Sequence, residues 1–317
     1  MTTKPLIELL SKSNQIQHLK AQLSRWEKVC YLPSAVPSAY PALWATLFAE
    51  MHTDALLIVP RPEEAQNVAD SLSTYLWDPK RVLLWPAHDD LPYERIASPT
   101  QDSPFRRLSA LERILRTDRE PLLIVASVKS ILEPTLARRY FEDHREFVKT
   151  GDAVNIIAMA NRVAELGYSP VASVEEVGQF SRRGGIFDIW TPSSDLPIRL
   201  ELFGDEVESI RLFDPETQRS AREIESFSII SPYEIPVAEY ESALERLQQI
   251  DLSNLRHEVA SSWKQSLEKL SAGDLPAIHS IIAPYFPSGL GNLLDYLSEG
   301  TIVFTDLPDR LALTAST

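Results

Sequence analysis

The densest chemistry in this chain lies in the run Gln179-Phe180-Ser181-Arg182-Arg183-Gly184-Gly185-Ile186-Phe187-Asp188-Ile189-Trp190, where two adjacent arginines precede two glycines in a region otherwise rich in acid. The planar guanidinium fork of arginine bonds carboxylates in pairs and packs its face on apolar groups, so a double arginine on a strand is suited to gripping a partner. The plainer reading is that both pair with local acids such as Glu175, Glu176 or Glu201 across a sheet. Neighbouring strand residues point to opposite faces, so Arg182 and Arg183 cannot serve one face equally. Counting by twos from Arg183 reaches Gly185, Phe187 and Ile189. Either that face meets a partner, or Arg183 stands at the sheet margin with Phe187 in the core. Glu201, Asp205, Glu206 and Glu208 could pass for a carboxylate site, but read better as the solvated face of a hairpin.

Elsewhere the chemical signals are thin. His88 beside Asp89 and Asp90 is a weak metal-ligand cluster that reads better as a solvated loop. The single cysteine, Cys30, excludes an intrachain disulfide and any CxxC metal site. There is no GxSxG and no HExxH motif.

The double arginine must be carried by a small antiparallel sheet. Strands are expected at 178–181, 185–190, 196–203, 206–213 and 223–230. Gly204-Asp205 turns one hairpin, and Asp214-Pro215-Glu216-Thr217 makes a further turn. A helix over 155–166, ended by Gly167, packs on this sheet to give an α+β domain. Before it, short apolar strands at 29–32, 55–59, 82–85 and 122–126 alternate with helices at 40–51, 61–77 and 103–116. Apolar runs flanked by helices are what a parallel sheet covered on both faces requires, so this part is an α/β layer. After the prolines between 232 and 236 come amphipathic helices at 240–250 and 255–270, a loop-rich passage over 276–291 and a strand at 301–305. This last piece would be a poor domain alone and is expected to complete the α/β layer, with the antiparallel domain as an insertion. The boundaries are then 1–145, 146–236 and 237–317.

With 317 residues, 44% of them hydrophobic and 24% charged, the chain has the composition of a globular protein. Its apolar runs are too short to cross a bilayer, and no signal-peptide core follows Met1, which reads as cytosolic. The net charge of −14 is uneven. Residues 1–150 carry 19 basic and 19 acidic side chains, 151–236 carry 7 and 15, and 237–317 carry 5 and 11. No whole domain offers the basic surface that phosphate binding uses. The local cluster of Arg106, Arg107, Arg113, Arg116 and Arg119 reads as the solvated face of a helix whose apolar face is Phe105, Leu108, Leu111 and Leu115.

An α/β layer suggests nucleotide binding, and a phosphate loop would follow the first strand. There the chain reads Tyr31-Leu32-Pro33-Ser34-Ala35-Val36-Pro37-Ser38-Ala39-Tyr40, with no lysine and no glycine. The first glycine of the chain is Gly151. Phosphate loops need glycine so that backbone amides can wrap the phosphates, and lysine for charge. ATP hydrolysis of the P-loop kind is therefore not expected.

Several segments together resemble a known family. These are Leu84-Trp85-Pro86-Ala87-His88-Asp89-Asp90-Leu91-Pro92-Tyr93, then Arg106-Arg107-Leu108-Ser109-Ala110-Leu111, and Ala126-Ser127-Val128. The most specific are the run from Gly178 to Ile189 and Arg199-Leu200-Glu201-Leu202-Phe203-Gly204-Asp205-Glu206-Val207-Glu208-Ser209-Ile210-Arg211. The chain is similar, from about residue 25 onward, to the N-terminal UvrB-like module of the Mfd family of bacterial transcription-repair coupling factors. The resemblance implies a degenerate helicase-like parallel-sheet layer (domains 1a and 1b) with an inserted α+β antiparallel-sheet domain, as in UvrB. UvrB itself has a working phosphate loop and a long tyrosine-rich hairpin. Here the corresponding segment, 91–102, is short and holds only Tyr93.

What the resemblance implies is a non-catalytic recruitment module that mimics UvrB, binds UvrA, and brings nucleotide excision repair to stalled RNA polymerase. The implied UvrA-binding residues are Arg183, at the family's most consistent arginine, with Arg182, Phe187 and Phe180 beside it. No cofactor is implied for this part of the family's protein. ATP is bound elsewhere in the longer proteins, which contact RNA polymerase and DNA through their other domains. The alternatives are a UvrB-like DNA repair ATPase and a sequence-independent DNA-binding module using Arg106–Arg119 and Arg138-Arg139.

Overall fold

The computed structural model describes residues 4–24, 35–88, 103–271 and 283–305. Helices α1 (Lys4–Ser11), α2 (Asn14–Ser24) and α3 (Tyr40–Phe48) precede strand β1 (Ala55–Val59). Then follow α4 (Pro62–Tyr75), β2 (Val82–Trp85), α5 (Ser103–Leu115), β3 (Leu123–Ser127) and α6 (Val128–Leu132). Next come β4 (Thr135–Leu136), α7 (Arg138–Asp143), β5 (Glu146–Lys149), α8 (Ile156–Glu165), β6 (Ser169–Pro170) and β7 (Gln179–Arg183). Strands β8 (Ile186–Ile189), β9 (Ile198–Phe203), β10 (Glu206–Phe213), β11 (Ser220–Ile224) and β12 (Ser226–Ile229) lead to α9 (Tyr240–Gln248), α10 (His257–Ser271), β13 (Leu290–Gly291) and β14 (Ile302–Thr305). The expected strand at 29–32, most of the loop after it, the segment 89–102 and much of the passage over 276–291 lie outside the described residues.

The chain divides into two compact units. The first gathers Met1–Ala87, Arg116–Leu132 and Leu297–Thr317. Its sheet is parallel, with the order β14-β1-β3-β2 among the described residues. Every residue of β3 and all but one of β1 are buried, as a parallel strand covered on both faces demands. Ala65, Ala69 and Leu72 of α4 pack into the same core as Leu57 and Val125. Pro62 opens α4 with Glu63 and Glu64 in its first turn, where the ring needs no amide and the acids face the helix dipole. Asp54, at the foot of β1, accepts both Arg119 Nη1 (2.7 Å) and Nη2 (2.8 Å) and the Leu122 amide (2.8 Å).

The second unit gathers His88–Leu115 and Glu133–Tyr296. Its main sheet has six strands in the order β11-β10-β9-β8-β7-β6, antiparallel except where β6 joins β7. Asn155 caps α8, its Oδ1 accepting the amides of Ile157 (3.1 Å) and Ala158 (2.9 Å). Gly167 ends it at φ +100°, where a Cβ would also strike the Tyr233 ring. The apolar side of α8, Met159 and Val163, packs with Phe180, Phe187, Ile189, Ile198, Leu200 and Ile210.

The stretch expected as a single strand over 223–230 is two. β11 is the edge of the six-stranded sheet, whereas β12 pairs with β5 in a separate two-stranded sheet. The chain changes sheets at Glu225, whose carbonyl accepts the Thr150 amide (3.0 Å). Hydrophobic patterning reports which residues are buried and not which sheet they join.

Candidate interface on the antiparallel sheet

Two hairpin ends lie side by side at one end of the six-stranded sheet. Strands β7 and β8 are joined by Gly184-Gly185, and β9 and β10 by Gly204-Asp205. Gly184 and Gly204 have φ of +60° and +65°, a conformation natural to glycine. The two ends touch: the Gly185 carbonyl accepts the Leu202 amide (2.8 Å), and a Cβ on Gly185 would come within 2.9 Å of the Leu202 carbonyl.

The register decides which side chains share a face. Arg182 pairs with Phe187 and Arg183 with Ile186, while Ser181 pairs with Asp188 and Phe180 with Ile189. Directly paired residues point the same way. Phe180, Arg182, Phe187 and Ile189 therefore belong to the face that α8 covers, and Ser181, Arg183, Ile186 and Asp188 to the outer face. Counting by twos from Arg183 through the turn to Phe187 fails, because the tight reversal at Gly184-Gly185 exchanges the parity. Arg183 and Phe187 are on opposite faces.

Phe180 and Phe187 are buried, their rings stacked at a centroid separation of 5.7 Å within the core. They support the strands from beneath and do not reach the surface. Arg182 shares the face of these residues at the end of β7, and its side chain is exposed. Arg183 is also exposed, its side chain at 57%. Its acid partner is none of those considered from the sequence: Nη2 donates to Asp188 Oδ2 at 3.1 Å.

The outer face grades from sealed to open. At its sealed end, Asp188 takes Arg199 Nε on Oδ1 (2.7 Å) and Arg199 Nη2 on Oδ2 (2.9 Å). Arg199 also lies over the Phe213 ring, 4.5 Å from its centroid, and donates Nη1 to the Gln218 carbonyl (3.3 Å). The Asp188 hydrogen bond, working against a smaller loss of solvation, raises the pKa of Arg199 further. Glu201 accepts the Ser209 hydroxyl (2.9 Å) and pairs with Arg211 (3.6 Å), so that carboxylate is engaged within the sheet as a solvated hairpin face would have it. At the open end, Ile186 is 36% exposed and Phe203, the last residue of β9, is 81% exposed. Phe203 has the outward parity of Arg199 and Glu201. Apolar side chains beside free guanidinium donors, at a tip paved with glycine, are equipped to bind another protein surface.

Phe203 and Arg199 were absent from the sequence-based site. Their signal was present in the alternation of Arg199, Glu201 and Phe203, but alternation alone cannot show that this face lacks a covering layer at the turn.

The other candidate clusters resolve differently. Arg107 is fully buried and belongs to the apolar side of α5, contrary to the solvated face expected of it. Its Nε donates to Glu234 Oε1 (2.8 Å), Nη2 to the Pro134 carbonyl (3.1 Å) and Nη1 to Glu133 Oε2 (3.4 Å). Thr135 donates its hydroxyl to Glu234 Oε1 (2.8 Å). Arg119 pairs with the largely buried Asp54, whereas Arg116 makes an exposed pair with Asp118. His88 is not on a solvated loop: its amide bonds Glu133 Oε2 (2.8 Å) and its Nε2 lies 2.6 Å from Glu234 Oε2. Burial disfavours the imidazolium, but hydrogen bonds to Glu133 and Glu234 outweigh it and raise its pKa to about 9. Burial likewise opposes ionisation of Glu234, and the charge of Arg107 with the His88 hydrogen bond overcomes it, giving about 2. Asp89 and Asp90 lie outside the described residues.

Residues 147–234, which hold this sheet, match the family model described as the UvrB interaction domain. Over most of its length the chain is similar to proteins named transcription-repair-coupling factor. It is 29% identical over 284 residues to that of Bacillus subtilis, covering 86% of this chain and 24% of the relative. To that of Myxococcus xanthus it is 29% identical over 288 residues, covering 84% and 23%. To that of Escherichia coli it is 28% identical over 267 residues, covering 83% and 22%. The chain thus spans about a quarter of the length of the curated relatives it matches.

Proposed function

We propose that this chain is a protein-recruitment module of a transcription-repair coupling factor, which docks UvrA on the open end of its antiparallel sheet. The observation that carries the reading is the placement of Arg182, Arg183, Ile186 and Phe203 at one exposed sheet end, within the segment that matches the UvrB interaction domain. Arg183 supplies guanidinium donors to carboxylates or carbonyls of the partner, and Phe203 supplies apolar area. Phe180 and Phe187 act through the core, by holding β7 and β8 in register. The module itself performs no catalysis. Nucleotide turnover and the contacts with RNA polymerase and DNA belong to other parts of the longer protein, and the module's role is to bring excision repair to a stalled polymerase. The engagement of Arg107 with Glu234 and of Arg119 with Asp54 takes two of that cluster's cations away from any phosphate.

Calorimetric titration of the purified chain with UvrA tests this reading. A complex should form, and Arg183→Ala should weaken it by about 2 kcal/mol, a typical loss for a central interface arginine. Phe203→Ala should weaken it to a similar extent. Failure of the unaltered chain to bind UvrA would dismiss the reading, and unchanged binding by Arg183→Ala would remove that residue from the site. Steady ATP turnover by the chain would instead support a UvrB-like enzyme.

A further inference from the structure

Asp188 is 1% exposed, so no partner can reach it, yet it touches two of the outward arginines, Arg183 and Arg199. One carboxylate serves two guanidiniums: Arg199 occupies both oxygens, and Arg183 shares Oδ2. In the sheet register Asp188 stands opposite Arg199, and Arg199 opposite Arg211. Like charges directly opposite one another are unfavourable; Asp188 supplies the carboxylate for Arg183 and Arg199, as Glu201 does for Arg211. The two arginines are left in different states. Arg199 is engaged through all three of its nitrogens, Nε and Nη2 on Asp188 and Nη1 on the Gln218 carbonyl. Arg183 is anchored through Nη2 alone, which leaves Nε and Nη1 for an acceptor from outside.

We propose that Asp188 is a positioning residue of the docking face: its buried carboxylate fixes the Arg183 guanidinium in advance, so that its remaining donors meet a carboxylate of the partner. A free arginine gives up much rotamer freedom on binding, and holding it beforehand reduces that loss. The inference rests on the docking reading above and goes beyond it by assigning affinity to a residue outside the contact.

The test is a double-mutant cycle of Asp188→Asn and Arg183→Ala, read as affinity for UvrA, with thermal melting of each variant. Asn keeps the shape and one acceptor while removing the charge. Asp188→Asn should weaken binding about 10-fold and Arg183→Ala about 30-fold, with the double variant weaker by clearly less than the product of the two. A merely structural role would leave the two losses multiplicative, which would overturn the proposal, and the melting curves check that each variant is folded. Unchanged affinity of Asp188→Asn beside a weakened Arg183→Ala would also overturn it, with the docking reading intact. Absence of any complex with the unaltered chain would dismiss both. Arg183→Lys provides a variant that leaves Asp188 in place. A held fork predicts nearly the full Arg183→Ala loss, and recovery of affinity by lysine would show that charge without geometry suffices, against the proposal.

Discussion

Phe187 and Phe203 share a side chain and have opposite surroundings: one is sealed between α8 and the strands, the other projects from the end of β9. Phe187→Ala should cost about 3–5 kcal/mol of stability by leaving a cavity in the core. Phe203→Ala should change stability by less than about 0.5 kcal/mol, as exposed substitutions usually do. Urea unfolding of the two variants checks this, and equal midpoints would contradict the assignment of faces. The sequence made the importance of this segment legible, since the double arginine and the glycine pair stand out from their surroundings. It did not disclose the face. Two residues that look alike in a count by twos are separated once the chain reverses within a two-residue turn, and only the pairing of Arg183 with Ile186 shows it.

At the scale of elements, the alternation of apolar strands and helices made the parallel layer readable, and the runs around Gly204-Asp205 made the antiparallel sheet readable. The segments that escaped are short and lack a period. β5 is only Glu146–Lys149, and β12 follows β11 after a single residue yet joins another sheet. The ion network around Arg107 was equally hidden, because it joins α5 to His88, Glu133 and Glu234 from distant parts of the sequence. It makes a pH prediction. The His88 pKa is raised in the fold to about 9, so its stabilisation is complete below its ordinary value of about 6.5 and is lost as pH rises through 9. The Glu234 pKa is depressed to about 2, so its contribution is present above about 4.5 and is lost as pH falls toward 2. Stability from this network is therefore greatest between about pH 4.5 and 6.5. Chemical denaturation at pH 6 and pH 9 should show a loss of roughly 3 kcal/mol that His88→Gln largely abolishes. A loss of the same size in the variant would show that His88 is not its source.

For the whole molecule, the feature of most consequence is the sheet order β14-β1-β3-β2, in which the strand beside β1 comes from near residue 300. A chain shortened to residues 1–296 should lose Ile302 and Phe304 from the first unit and leave β1 without its neighbour on that side. The first unit should then unfold at lower denaturant, destabilised by about 3 kcal/mol or more, while amide protection in the six-stranded sheet is retained. Hydrogen exchange measured strand by strand would detect it, and unchanged protection of β1 would refute it. The same pairing sets a timetable during synthesis. At roughly 5–20 residues per second, a ribosome needs on the order of 10–30 s after completing β3 before β14 is made. Through that interval β1 offers an unpaired, strongly apolar margin, the kind of edge on which nascent chains stick to one another. The six-stranded sheet can therefore be complete while the parallel sheet still waits for β14, and a nascent-chain chaperone would find its work at β1.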